Sequence, residues 1–119
     1  MDDYTLGAVE KRFAELIWEN EPLSSGSLVQ LAQEALGWKK STTYTVLRRL
    51  CGRGIFQNQN SMVSSLISRK EFYALQSEKF VENAFSGSLP GFLAAFTSHK
   101  RLSEEEIRAL EELIDQHRR

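Results

Sequence analysis

The strongest constraint on the fold is a change of period at Gly54. Before it, apolar residues recur with the spacing of amphipathic helices in three short segments, which end near Pro22, Gly37 and Gly54. After it, residues 55–67 have no helical stripe and are rich in Asn, Gln and Ser. This order predicts three short helices followed by a two-stranded hairpin.

Local signals set the ends of these helices. The first is predicted over residues 8–20, because the proline that follows disfavours helix at the residue before it. Ser24 or Ser25 can cap the second, which ends at a glycine that accepts left-handed geometry. Ser41 is predicted to cap the third, which runs to the glycine-containing stretch 52–54.

The hairpin is predicted to pair residues 56–59 with residues 63–67. It turns at Asn60-Ser61, where Asn tolerates a positive φ. Three short helices and a hairpin in this order predict a winged helix-turn-helix. We therefore expect a mostly α-helical chain with a small β-hairpin, in which residues 1–73 form a DNA-binding domain and residues 74–119 a helical dimerisation region.

The second half is predicted to hold three more helices. One covers residues 78–85, one begins near Pro90, and the last begins at Ser103, where Glu106 completes a capping box. Helices this short are marginal alone, and their apolar faces are larger than one such region could cover. We therefore expect a homodimer. The residues expected at its interface are Phe80, Phe85, Phe92, Leu93, Phe96, Ile107, Leu110, Leu113 and Ile114.

Composition argues against several classes of protein. The 119 residues suit one domain, or one domain with a short appendage. With no run of ~20 apolar residues and no signal pattern at the start, we expect a cytoplasmic protein. The single cysteine, Cys51, forbids an internal disulfide and is expected to be a small buried hydrophobe. Two histidines and no phosphate loop or nucleophile elbow leave little for catalysis. We expect no metal, no cofactor and no enzyme activity.

Charge is distributed unevenly, although the net charge is only -1. The 36 residues between Glu34 and Glu71 contain no Asp or Glu but seven Lys or Arg, whereas residues 71–119 contain nine acids and six bases. A phosphate backbone responds to one basic face rather than to the total charge. The acid-free segment is therefore a candidate footprint for a polyanion, the alternative being a solvated basic face.

The third predicted helix lies inside this segment. Taking Val46, Leu47 and Leu50 as its core face, ~100° per residue places Ser41, Thr45 and Arg48 on the opposite side. Arginine and hydroxyl groups suit base edges and phosphates. The candidate DNA-binding residues are Thr42, Tyr44, Thr45 and Arg48 for base contacts, Lys39, Lys40 and Arg53 for phosphates, and Ser41 and Arg49 beside them. The alternative is that they are solvent-facing polar residues only.

The sequence resembles the family of penicillinase and methicillin-resistance repressors, which also includes copper-responsive members. The resemblance covers most of the chain and is carried by four segments: LGAVEKRFAELIWENEPLSSGSLVQLAQ, STTYTVLRRLCGRGIF, FSGSLPGFLAAF and LSEEEIRALEELID. It implies a winged-helix homodimer that binds palindromic operators in double-stranded DNA and represses bacterial transcription, with dimerisation through the C-terminal helices.

The chain departs from that family in its inducing signal. In members that sense β-lactams, a membrane-linked protease cuts an Asn-Phe bond, and the matching pair here is Ala95-Phe96. Copper-responsive members carry paired cysteines near the C-terminus, which this chain lacks. The hairpin is also uncharged and rich in amides where many members carry basic residues. The inducing partner, a protease or another, is left open.

Two other functions compete with a repressor. A winged-helix module could bind a protein through its third helix and hairpin, and would then show weak, sequence-blind DNA binding. A small enzyme would need a pocket in which polar groups converge.

Overall fold

The computed structural model describes residues 5–118, which form six α-helices and three short strands. In chain order these are α1 (Ala8–Asn20), β1 (Leu23–Ser24), α2 (Ser25–Leu36), α3 (Lys40–Gly52), β2 (Phe56–Gln59), β3 (Met62–Ser65), α4 (Arg69–Phe85), α5 (Leu89–His99) and α6 (Glu104–His117). The predicted fold class, a winged helix-turn-helix followed by C-terminal helices, is confirmed.

Helix ends with a local signal lie where the sequence predicts them. The Ser24 hydroxyl accepts the backbone N–H of Ser27 at 3.0 Å and caps α2. Gly37, with φ of 70°, ends α2 in the left-handed conformation that glycine adopts without a steric penalty. Ser103 and Glu106 form the predicted capping box at the start of α6.

The predicted start of α3 is wrong by two residues. Lys39, not Ser41, occupies the N-cap position, and its side chain makes no capping hydrogen bond. The backbone N–H of Thr43 already donates to the Lys39 carbonyl at 3.0 Å. Just before this point the Trp38 ring packs 5.0 Å from that of Phe13. The helix therefore begins directly after a tertiary contact, that of Trp38 with Phe13, and not at the capping hydroxyl that the sequence predicted.

The hairpin belongs to a three-stranded antiparallel sheet in the order β1-β3-β2. The sequence did not predict β1, which pairs Leu23 with Val63. The second hairpin strand begins one residue earlier and ends two residues earlier than predicted, because the N–H groups of Leu66 and Ile67 both donate to the Ile55 carbonyl. Asn60 and Ser61 have φ of 53° and 64°, as a tight two-residue turn requires.

The core is formed by α1, α2, α3, the sheet and the start of α4. Its largest fully buried side chains are Phe13, Ile17, Leu28, Leu50, Ile55, Phe56, Val63 and Phe72. The Trp18 ring lies 5.3 Å from that of Phe56 and 5.5 Å from that of Phe72. This packing fixes the sheet and α4 to α1, and it leaves one side of α3 outside the core.

The prediction for α4 is wrong at its beginning. The helix was predicted from residue 78 but begins at Arg69. The Ser68 hydroxyl accepts the backbone N–H of Glu71 at 3.1 Å, and Phe72 is fully buried against Trp18. The extra turns are stabilised by packing against α1, which is remote in sequence.

The chain divides into two compact units, one ending at Lys79 and the other beginning at Phe80. The predicted boundary after residue 73 and this division both lie within α4. In the second unit, α5 and α6 have no buried residue. The rings of Phe80, Phe85 and Phe92 lie 5.5–6.0 Å apart and form its aromatic cluster.

Candidate nucleic-acid interface

One side of α3 is free of the core. Val46, Leu47 and Leu50 are buried, and Thr45 and Arg48 are exposed on the other side. The other candidate residues that are exposed are Lys39, Lys40, Ser41, Thr42 and Arg49. The 3.6-residue period of the helix therefore places the hydroxyls and the Arg48 guanidinium on one accessible surface.

The three arginines of this region have different partners. The Arg49 guanidinium pairs with the Glu10 carboxylate at 2.8 Å. Arg53 is half-buried and donates to the carbonyl oxygen of Thr5 at 3.0 Å. Arg48 has no hydrogen-bond or ion-pair partner among residues 5–118. Of the two arginines in α3, Arg48 is therefore the one whose charge no neighbouring carboxylate in the described chain neutralises.

The Glu10 carboxyl shows how closely α1 and α3 are coupled. Burial acts to raise its pKa. The hydrogen bonds from Arg49 and the Gly7 backbone, with the charges of Arg49 and Arg53, outweigh that effect and lower the pKa. The Glu10 charge is thus stabilised against α3, where it offsets part of the basic segment.

At the other end of the acid-free segment, another basic residue pairs with carboxylates of α1. The Arg69 guanidinium lies 2.6 Å from Glu15 and 3.6 Å from Glu19, both on α1. Lys39, Lys40, Arg48 and Lys70 are left without an ion pair among residues 5–118. The folded chain divides the seven basic residues into those that face α1 carboxylates or backbone and those that remain available to an external polyanion.

A hydrogen bond to α2 fixes the position of the Tyr44 hydroxyl. It is half-buried, and its hydroxyl donates to that of Ser25 at 3.1 Å, at the beginning of α2. The backbone N–H of Ser25 in turn donates to the Ser61 carbonyl in the hairpin turn, at 2.8 Å. Tyr44 thus connects α3 to the point where α2 meets the hairpin. It lies beside the exposed surface of α3 rather than at its centre.

A groove of about 250 Å³ runs between α3 and β2. It is lined by Tyr44, Leu47, Arg48, Cys51 and Asn58. Burial raises the pKa of the Cys51 thiol, which keeps it neutral at neutral pH. The groove therefore combines an uncharged floor with one free cation at its edge.

Asn58 is the residue in this groove that sequence reading missed. It follows the buried Phe56 by two positions, and alternate residues of a strand share a face. Its side chain therefore projects towards α3, yet it is exposed and has no hydrogen-bond partner in the described chain. Period-two counting from Phe56 would have found it, since an amide stands where the pattern favours an apolar residue.

The described residues 5–118 offer little for other chemistry. They contain no group of three or more His, Cys, Asp or Glu side chains able to hold a metal ion. None of their helices combines the length and apolar character needed to cross a bilayer.

The second unit presents apolar side chains to solvent. Of the predicted dimerisation residues, Phe80, Phe96, Ile107, Leu113 and Ile114 are exposed, and Phe85, Phe92, Leu93 and Leu110 are half-buried. Between α5 and α6 lies an open apolar cavity of about 320 Å³, whose lining includes Phe92, Phe96 and Leu110. Exposed apolar patches are typical of interaction surfaces in folded proteins.

The family model of the penicillinase repressor matches residues 6–116. The chain belongs to the penicillinase repressor family. It is 20% identical to a penicillinase repressor of Bacillus licheniformis over 113 residues, 92% of this chain and 88% of that protein. It is 21% identical to the methicillin resistance regulatory protein MecI of Staphylococcus epidermidis over 116 residues, 94% of each chain.

Membership of the penicillinase repressor family confirms the resemblance seen in the sequence, and the match includes both compact units. The family is one of transcriptional repressors. Within this family member, the Ala95-Phe96 pair lies in α5, and both residues are exposed.

Proposed function

We propose that this protein is a transcriptional repressor that binds a palindromic operator as a homodimer. The observation that carries the proposal is the unpaired, exposed Arg48 guanidinium in the groove beside Asn58, on a surface without a carboxylate partner for it in the described chain. Membership of a repressor family supports it.

In this proposal α3 enters the major groove, which is wide enough for an α-helix. Arg48 takes the O6 and N7 atoms of guanine, and the Thr42 and Thr45 hydroxyls bind base edges or nearby phosphates. The Tyr44 hydroxyl, which donates its proton to Ser25, accepts from a base amino group. Lys39, Lys40 and Arg53 hold the DNA backbone. Arg49 and Arg53 contribute less to DNA binding than Arg48 does. The Arg49 guanidinium is already paired with Glu10, and that of Arg53 already donates to the Thr5 carbonyl.

The proposed dimer forms through α4, α5 and α6. Phe80, Phe96 and Ile114 are 53%, 43% and 52% exposed in the single chain. Complete burial of an exposed side chain of this kind contributes about 1.5–3 kcal/mol, and these side chains have about half of that still to gain, so a second copy of the chain is a favourable partner. A two-fold dimer presents two α3 helices, and it requires half-sites about one helical turn, or ~34 Å, apart or a multiple of that distance.

The deciding experiment is selection of bound sequences from a random double-stranded DNA pool. We expect enrichment of a two-fold symmetric site, bound with an affinity that falls steeply as salt rises, since bound phosphates release counterions.

Lys39→Ala should weaken binding to all sequences about equally and reduce the slope of log affinity against log salt by about 1. No enriched sequence, together with tight binding to a protein, would favour the interaction module instead.

A further inference from the structure

The Glu10 carboxylate contacts both the beginning of α1 and the side of α3. Its Oε1 atom accepts a hydrogen bond from the backbone N–H of Gly7 at 3.2 Å, as the third residue of a capping box does. Its Oε2 atom accepts one from Nη1 of Arg49 at 2.8 Å. The N-terminus of a helix also favours a negative charge. Glu10 thus presents an oriented carboxylate to the Arg49 guanidinium.

This ion pair is present at neutral pH and is open to solvent on one side. Burial acts to raise the pKa of Glu10, but the hydrogen bonds from Arg49 and Gly7, with the nearby arginine charges, lower it. Glu10 therefore stays charged wherever DNA binding is measured. The Glu10 side chain is 22% exposed and that of Arg49 is 55% exposed. An external anion can therefore approach Arg49, but it has to compete with a carboxylate already in place.

Arg49 lies where such an anion is expected in the proposed complex. It is about 100° around α3 from Arg48, on the flank of the base-facing stripe. A helix with its side chains is ~10–12 Å across and fills a major groove that is ~12 Å wide. The flanks of the helix therefore face the phosphates on either side of the groove. Without its partner, Arg49 is placed to bind one of these phosphates.

We propose that Glu10 is a positioning residue that limits the affinity of the protein for the DNA backbone, because it holds Arg49 away from the phosphates. The inference rests on the proposed function, since it requires α3 to lie in the major groove. Glu10 itself takes no part in the base or phosphate contacts assigned above. A phosphate contact carries no sequence information, so the pair sets how tightly DNA is bound and leaves the selected sequence unchanged.

The test compares wild-type protein with Glu10→Gln on the selected operator and on a random-sequence duplex. The amide keeps an oxygen for the Gly7 N–H, as glutamine does in capping boxes, but it lacks the charge that holds Arg49. We expect Glu10→Gln to bind both DNAs about threefold to tenfold more tightly at low salt, with a slope of log affinity against log salt that is steeper by about 0.9. Loss of folded protein lowers the apparent affinity, so it cannot produce this gain.

Two controls separate release of Arg49 from a change in net charge. Glu34→Gln removes the same charge at an exposed position of α2 that has no ion pair within the described chain, and it should leave the salt slope unchanged. Arg49→Ala should reduce affinity more in the Glu10→Gln protein than in the wild type. An equal gain in Glu34→Gln, or an equal cost of Arg49→Ala in both proteins, overturns the inference.

A second measurement tests the wild-type protein directly. The side-chain N–H signal of Arg49 in an NMR spectrum, assigned by its loss in Arg49→Ala, should keep its chemical shift when operator DNA is added to the wild type. The same signal should move in Glu10→Gln. A change in the wild type as large as that of the Arg48 signal shows a DNA contact at Arg49 and overturns the inference.

Failure of this inference differs from failure of the function on which it rests. If the wild type selects no two-fold site, the proposed function fails. If the wild type selects an operator while Glu10→Gln binds neither DNA more tightly, the inference is overturned and the proposed function stands.

Discussion

Arg48 and Arg49 are adjacent in α3, and the fold gives them different roles. The helical period turns them about 100° apart, so that Arg49 reaches Glu10 on α1 while Arg48 lines the groove beside β2. An exposed ion pair such as Arg49–Glu10 contributes about 0–1 kcal/mol to stability. Its larger effect is on binding, because it supplies a competing partner for the Arg49 charge.

This difference predicts unequal effects of two similar substitutions. Arg48→Ala should weaken operator binding by about 1–3 kcal/mol and relax the preference for one base. Arg49→Ala, one residue away in the same helix, should cost less and leave base preference intact. Titration of each variant against the selected site and its single-base variants measures both effects. Unchanged base preference in Arg48→Ala would contradict the assignment of the recognition surface.

Asn58 gives a second prediction at this scale. Its free carboxamide faces the groove, so Asn58→Ala should weaken DNA binding by about 0.5–1.5 kcal/mol, the contribution of one hydrogen bond. Asn58→Asp should weaken it further, most strongly at low salt, because a carboxylate would face the phosphates. The matched control is Gln57→Ala, whose amide donates to Ser64 at 3.1 Å on the other face of β2. Equal losses at Asn58 and Gln57 would contradict a contact at Asn58.

At the scale of an element, α4 joins the two compact units, and its first turns depend on α1. Burial, followed by the hydrogen bond to Glu15 and the charge of Glu15, raises the pKa of Tyr73 from 10.0 to about 12. Folding therefore stabilises the neutral form of the Tyr73 hydroxyl. Its ionisation would place two negative groups side by side.

The raised pKa predicts a loss of stability at alkaline pH. Because the folded pKa lies above the unfolded value, the contribution of Tyr73 is fully present below pH 10.0 and is lost as pH rises through about 12. The free energy of unfolding, measured with urea across this range, should fall more steeply in the wild type than in Tyr73→Phe. Parallel curves for the two proteins would show that this hydroxyl is not coupled to folding.

At the scale of the whole molecule, the described residues of the two units differ in burial. The first has a continuous core, whereas α5 and α6 have no buried residue and expose apolar side chains. A capping box favours α6 locally, but a helix of 14 residues gains most of its stability from packing. The proposed second copy supplies that packing.

A single charged substitution in the proposed interface tests the dimer. Ile114 is 52% exposed on α6, and Ile114→Glu places a carboxylate in the proposed interface. We expect sedimentation equilibrium to show a dimer for the wild type, a monomer for the variant, and weaker binding of the variant to the two-fold operator. Gln116→Glu adds the same charge two residues along the helix, at an exposed polar position, and should remain dimeric. A wild-type monomer would contradict the proposal directly.

Sequence alone determined the features that depend on neighbours in the chain. The bounds of α1, the Ser24 cap, the Gly37 ending, the turn at residues 60–61 and the capping box of α6 all follow from local geometry, as does the exposure of Thr45 and Arg48. Tertiary contacts determined the features that sequence did not predict: strand β1, the first nine residues of α4 and the groove beside Asn58. They also determined that Arg49 has an ion-pair partner whereas Arg48 has none in the described chain. Glu10 is 39 residues from Arg49, and Glu15 is 58 from Tyr73. Backbone periodicity is a local property, whereas the partner of a charge is chosen by whatever the folded core brings beside it.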